Sequence, residues 1–415
     1  MAVLFISPQC KGKNISASPV TVSQTDEHET PDQTEPDKDE TLPRELAATM
    51  ARSLDNRQLA AQVMLCGIDG RGHLSADMIT LLEECPAGGI VLFRYNLDTD
   101  NAEIKSLTSE SSELITSHVT GGISPFIAVD HEGGDVSRFK PGVAVLPAAG
   151  IYWETGQSEG WEKSFSLIEE DSFRAGTEIS DLGIDLNLAP VAEILNSRND
   201  QFLGSRSYGP DAGFTAKAAS AFIRGMERAG LLCVVKHFPG SAGPDPHRFP
   251  SLINETPDEL ALLTAPFAEL ITSGECKAIM VAHTMVTAKD NVSIASLSPA
   301  IMKTWLREEL GFNGIIICDD FSMASARSPA AARSPVSASG AAAANASAPA
   351  SPAEAAVQSL AAGADMVLVW PPDIRRTHRA IQAAIADGSL PVERLREAAQ
   401  RIIFEKIRMG LVSGE

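Results

Sequence analysis

The chain has 415 residues, enough for one large barrel or two ordinary domains, and 44% of them are hydrophobic, ample for a sizeable core. Its formal net charge of −20 argues against a nucleic-acid groove or an anionic membrane surface as partner, since both call for basic surface. Six cysteines, at 10, 66, 85, 233, 276 and 318, show neither C-x-x-C metal spacing nor a dense disulfide framework, so no metal site and no cofactor is expected.

Taken in order, the chain opens on Ala2–Ile6, an apolar run too short for a signal peptide and without a basic residue before its start. As written this suits a cytoplasmic protein. Cys10, following that run and preceding a long polar stretch, instead suits an exported, lipid-tethered protein whose true start lies upstream. Both compartments stay open. Residues 11–43 are rich in Ser, Thr, Asp, Glu, Pro and Gln, with almost no large apolar groups, so a disordered acidic tail is expected over 1–43 and a folded domain over 44–415.

Helical spacing begins at Leu46–Ala61, and eight apolar, strand-like runs follow. They are Gln62–Cys66, Gly89–Phe93, Phe126–Asp130, Ile184–Leu188, Leu232–Lys236, Ala278–Ala282, Ile315–Cys318 and Met366–Val369. The segments between them, such as Ala212–Arg228, Pro257–Ser273 and Pro299–Leu310, carry amphipathic helix spacing. Pro257 and Pro299 sit near helix starts, while Gly230, Gly274 and Gly311 follow helix ends. Strands alternating with helices imply a parallel sheet, and eight such units predict an α/β fold, a closed (β/α)8 barrel of the TIM type, ahead of a doubly wound open sheet. Residues 324–353 are Ala, Ser and Pro with a few Arg, which predicts a flexible insertion, more readily an inert expansion than a lid. A helix over Val392–Met409 ends the domain and leaves no room for a second one. No apolar run approaches the roughly 18 residues of a membrane span.

In such a barrel the active groups belong at the C-terminal strand ends. Those positions hold Arg94 and Asn96, Asp130, Asn187, Lys236 and His237, His283, and Asp319 with Asp320. After Lys236-His237 the chain empties into a loop rich in Gly and Pro that closes on Asp245-Pro246-His247. Pro246 fixes φ between the two partners, so the carboxylate can hold the imidazole with little entropy left to lose. A lone Asp-x-His reads first as a surface loop; the strand-end Lys236-His237 just upstream favours a site. A strand-end carboxylate with an Asp-x-His on a neighbouring loop suits retaining glycoside hydrolysis, in which one group attacks the anomeric carbon and another protonates the leaving oxygen. His247, oriented by Asp245, is the proton donor in this scheme, and Asp130, Arg206, Lys236 and His237 bind sugar hydroxyls. The pattern alone does not choose between Asp319 and Asp320 as nucleophile. Gly133-Gly134 lacks the spacing of a phosphate loop and reads as a tight turn.

Several separate motifs, spread over about residues 45–412, resemble the single-domain β-N-acetylglucosaminidases of glycoside hydrolase family 3. Asp130-His131-Glu132-Gly133-Gly134 is similar to that family's Asp-(Gln/Glu)-Glu-Gly-Gly segment. Asn187-Leu188-Ala189-Pro190-Val191 and Gly204-Ser205-Arg206-Ser207-Tyr208-Gly209 resemble its Asn-x-Ala-Pro-Val and Arg-Ser-Phe-Gly stretches. Lys236-His237-Phe238-Pro239-Gly240 matches the start of its signature loop, Ile317–Met323 resembles its nucleophile strand end, and Ala362–Met366 completes the set. The resemblance implies a retaining exo-β-N-acetylglucosaminidase with Asp319 as nucleophile, His247 and Asp245 as the acid/base pair, and Asp130, Arg206, Lys236 and His237 holding a terminal β-linked N-acetylhexosamine. A monomer is expected. Three departures stand out. Ser241-Ala242 replace His-Gly and Asp245-Pro246-His247 arrives about two residues early; Asp135 stands where Arg is usual; and the Ala/Ser/Pro insertion directly follows the nucleophile strand. Two other functions fit the same residues: a glycoside phosphorylase, because a neutral imidazole does not repel phosphate, and a carbohydrate-binding barrel that has lost catalysis.

Overall fold

A computed structural model describes residues 38–327, 349 and 351–412. Most of the expected tail, Cys10 with it, and most of the Ala/Ser/Pro insertion lie outside the described residues. The eight apolar runs form the strands of a closed, all-parallel barrel: β1 Met64–Gly67, β2 Gly89–Leu92, β3 Phe126–Val129, β4 Leu186–Asn187, β5 Leu232–Phe238, β6 Ala278–Val281, β7 Ile315–Cys318 and β8 Met366–Val369. Each pairs with its sequence neighbours, and Met64 opposite Val367 closes the ring between β1 and β8. Strands buried on both faces need apolar side chains on both, which is why these segments read as continuous hydrophobic runs rather than alternating ones. Gln62 belongs to the preceding helix, Asn56–Gln62, and not to β1.

The helices end where local chemistry stops them. Asp211 caps Ala212–Arg228 by accepting from Phe214 N at 2.7 Å. Thr256 and Glu259 form a capping box at the start of Pro257–Thr272, whose Pro sits at the first helical position. Gly225 allows Ala212–Arg228 to lie against Trp161–Asp181: a Cβ there would come within 2.4 Å of Glu169 O. The helix expected over Leu46–Ala61 is two helices, Lys38–Ser53 and Asn56–Gln62, because Asp55 starts the second by accepting from Gln58 N at 2.8 Å. Residues 38–43, assigned above to the tail, are the first turns of the helix that buries Ala47 and Ala51 and packs on the last helix, Val392–Arg408.

One element was not expected. Ser251–Ile253, after β5, pairs in parallel with Thr284–Val286, after β6, which pairs antiparallel with Asp290–Ile294. This small sheet sits on the loops at the C-terminal end of the barrel. It ties down the far end of the segment carrying Asp245 and His247, with Ser251 Oγ 2.8 Å from Thr284 Oγ1. Among the described residues no helix is long and apolar enough to cross a membrane.

Candidate active site

β5 is the longest barrel strand, and it runs past the rim. Its extension is held by the segment after β4, with Lys236 N donating to Pro190 O at 3.0 Å and Ala192 N to Lys236 O at 2.7 Å. That pairing sets Glu193 beside His237, and Glu193 Oε1 lies 2.6 Å from His237 Nδ1. Glu193 is buried and its partner imidazole nearly so.

Lys236 itself turns into a buried ion cluster. Its ammonium bonds the Asp130 carboxylate and lies 2.7 Å from Glu132 Oε1; Arg206 grips Glu132 through two bonds of 2.7 and 2.8 Å; and Arg138 reaches Asp130 at 2.6 Å. Burial opposes ionisation of Asp130 and Glu132, but the Lys236 ammonium and the guanidinium groups of Arg138 and Arg206 outweigh it and hold both carboxyls below their ordinary range. The same balance raises Lys236, so the cluster is fully ionised at neutral pH. Asp135, the charge reversal in the sequence, is exposed; the guanidinium on Asp130 comes from Arg138. Next to this cluster His131 is buried, its ring edge-on to Phe139 at 5.3 Å, and burial pushes it down to about 4.

A narrow cavity opens beside the cluster, lined among others by Glu193, Phe202, His237, Ser241, His247 and Asp319. Within the loop, Asp245 Oδ1 accepts from His247 N at 2.9 Å and lies 2.8 Å from His247 Nδ1, which leaves Nε2 as the free ring nitrogen. Although shorter than the family pattern, the loop therefore puts His247 on the cavity that Asp319 also faces. The two strand-end carboxylates differ sharply. Asp320 is tied up by Trp370 Nε1, Ser322 Oγ and Ser322 N, whereas among the described residues Asp319 accepts from Asp320 N alone, at 2.8 Å. His283, buried between Ser296 Oγ at 2.7 Å and Asp320 O at 3.0 Å, supports the turn that carries both.

The structure thus gathers His237, His247 and Asp319 on one cavity and sets Asp130, Lys236 and Arg206 in the adjoining ion cluster. The other strand-end residues do different work. Asn96 donates to Ile68 O and Gly70 O, Asn187 braces His131 through its backbone N and O, and Arg94 donates to Ser137 O on the surface. Glu132 and Glu193 were missed in the sequence, each being a single carboxylate whose partners lie dozens of residues away. Glu193 lies well beyond Asn187, the end of β4, on the segment that pairs with the extension of β5, and local pattern gave no signal for it. A wider cleft at the opposite end of the barrel, lined by Arg44, Lys277, Arg401 and Glu405, lies at the end where such folds carry stability rather than chemistry. Among the described residues no His, Cys, Asp and Glu group is arranged to hold a metal ion.

Residues 56–404 match the glycosyl hydrolase family 3 N-terminal domain. The chain belongs to that family. Like other members of glycosyl hydrolase family 3 it is a glycoside hydrolase. A beta-hexosaminidase of Tolumonas auensis is 32% identical over 319 residues, 76% of this chain and 83% of that protein. One from Methylococcus capsulatus is 35% identical over 257 residues, 61% and 72% of the two chains. Among solved structures, a family 3 beta-N-acetylglucosaminidase from Paenibacillus superposes with a TM-score of 0.75 at 29% identity; the match covers 88% of this chain and 64% of that longer one. NagZ from Neisseria gonorrhoeae, solved with N-trifluoroacetyl-D-glucosamine, gives a TM-score of 0.64 at 27% identity over 85% of this chain and 98% of its own.

Proposed function

We propose that this family 3 enzyme is a retaining exo-β-N-acetylhexosaminidase that releases terminal β-linked N-acetylglucosamine through a covalent glycosyl intermediate on Asp319. The observation that carries this is the Asp319 carboxylate lining the same cavity as His247, whose Nδ1 is held by Asp245. An Asp319 oxygen attacks the anomeric carbon as the bond to the leaving oxygen breaks, and protonated His247 gives its Nε2 proton to that oxygen. In the second half, neutral His247 takes a proton from water, the water oxygen attacks the anomeric carbon, and the Asp319 ester bond breaks with net retention. Asp245 holds Nδ1, so the imidazole offers Nε2 in both halves. His237 and the cluster of Asp130, Lys236 and Arg206 would bind the sugar hydroxyls in a pre-formed field that needs no reorganisation. The N-acetyl preference rests on the names of the relatives, two of which are beta-hexosaminidases and one a beta-N-acetylglucosaminidase.

A series of 4-nitrophenyl β-glycosides differing only at the 2-substituent tests the proposal. The 2-acetamido sugar is expected to give the highest kcat/KM. A preference for the glucoside overturns the substrate class and keeps the mechanism; binding of every sugar with no turnover overturns both. Release of sugar 1-phosphate in phosphate buffer would replace hydrolysis by phosphorolysis.

A further inference from the structure

The loop carrying His247 is anchored on two sides by contacts made through residues of this chain that lie outside the family motifs. From the segment after β4, fully buried Asn199 donates Nδ2 to Ser241 O at 3.0 Å and to Ser241 Oγ at 3.3 Å, and Asn196 Nδ2 reaches Ser241 O at 3.3 Å. Arg198 forms an ion pair with Glu255 just beyond the loop. From the segment after β7, Ser325 N donates to Pro246 O at 3.2 Å. These bonds fix the loop's backbone. They do not fix the imidazole, whose side chain is 60% exposed and whose one hydrogen-bonded neighbour among the described residues is Asp245.

A single hydrogen bond at Nδ1 pins one point of a ring and leaves its plane free to rotate. The aromatic neighbour of that ring is Phe202, its centroid 5.9 Å away and its plane tilted by 58°. Phe202 sits half-buried in the short helix Asp200–Leu203 and lines the cavity, and its ring also lies 5.0 Å from the Arg206 guanidinium carbon. Arg206 is in turn locked to Glu132 by two bonds. One side chain therefore bridges the ion cluster and the exposed imidazole.

We propose that Phe202 is the positioning residue that sets the plane of the His247 imidazole, and with it the line from Nε2 to the leaving oxygen. The Asp245 bond supplies the pivot and the Phe202 ring supplies the wall. The proposal rests on His247 being the acid. Proton donation is sensitive to such placement, since a displacement of about 1 Å can cost on the order of 100-fold in rate.

Leaving-group dependence separates this role from a merely structural one. A 2,4-dinitrophenyl glycoside departs without a proton, whereas a methyl or sugar aglycone needs one. Both are compared, with the sugar that the wild-type chain hydrolyses, through kcat/KM for Phe202→Ala, Phe202→Tyr and His247→Ala. Phe202→Ala is expected to lose about tenfold on the methyl glycoside, in the range of a lost aromatic pair with some misplacement, and less than about twofold on the dinitrophenyl glycoside. Phe202→Tyr, which keeps the wall, is expected to restore the rate. The dinitrophenyl rate also reports whether each variant is folded. Equal losses on both substrates would make Phe202 a binding wall or a folding residue and overturn the proposal, as would no loss on either. If His247→Ala shows the selective loss and Phe202→Ala does not, only the positioning role falls. If His247→Ala loses equally on both substrates, the acid assignment falls and takes the proposal with it.

Discussion

Two imidazole–carboxylate pairs face one cavity, and they differ in almost everything except chemistry. His237 and Glu193 sit at a strand end braced by backbone bonds to the neighbouring segment, and the Glu193 side chain is only 2% exposed. His247 and Asp245 sit on a loop, the imidazole largely in the open. The buried pair has no room to move and suits holding a ligand in one place. The exposed pair keeps one ring nitrogen free and suits passing a proton in both directions. Pairing with a carboxylate does not by itself mark a proton donor; in the proposed mechanism it is exposure that separates the two.

The comparison breaks first at His247. His247→Ala is expected to lower kcat/KM by roughly 10²- to 10⁴-fold on methyl or sugar aglycones, the usual worth of a positioned acid, and far less on a dinitrophenyl aglycone. Steady-state rates across a leaving-group series check this, and a flat loss would put the acid elsewhere. His237→Ala should cost roughly 10- to 100-fold, as expected for a lost hydrogen bond to ligand in a charged site, with the same factor for every leaving group. A leaving-group slope there would erase the distinction between the pairs. Glu193→Gln should act in the same uniform way but more weakly, chiefly through KM, since the amide oxygen still accepts from His237.

The smallest expected effect is on stability and concerns His131. Its folded value of about 4 lies below the ordinary 6.5, chiefly through burial; the nearby Asp130 and Glu132 carboxylates oppose that shift and Arg138 adds to it. The unfolded chain therefore binds more protons between those values, so stability is full above about pH 6.5 and falls as pH drops toward 4. His131→Gln should flatten the unfolding free energy over that window in urea titrations. The depressed Asp130 and Glu132 act lower down: their contribution is complete above the ordinary carboxyl range and is lost as pH falls below it.

The barrel was legible because strands buried on both faces leave uninterrupted apolar runs, and the eight runs coincide with the eight strands apart from end residues such as Gln62 and Phe93. The small sheet was not, because Ser251–Ile253 and Thr284–Val286 are three residues each and gain their stability from pairing across the loops. At the site, Lys236-His237 and Asp245-Pro246-His247 announced themselves by local pattern. Glu132 did not, because its partners come from elsewhere, Lys236 from β5 and Arg206 from the segment after β4, and only the closed barrel brings them together. Asp135 looked consequential in the sequence and proves exposed, since Arg138, three positions further on, supplies the charge that Asp130 meets. On the choice between Asp319 and Asp320, open in the residue pattern, the proposal of Asp319 draws on the bonds among the described residues: Asp320 accepts from Trp370 and Ser322, and Asp319 from Asp320 N.

The most direct measurement is to inactivate the wild-type chain with a fluorinated, mechanism-based N-acetylglucosamine analogue, digest it, and sequence the labelled peptide by tandem mass spectrometry. The label is expected on Asp319, at one sugar per chain. A label on Asp320, or on a peptide from another strand end, would contradict the account.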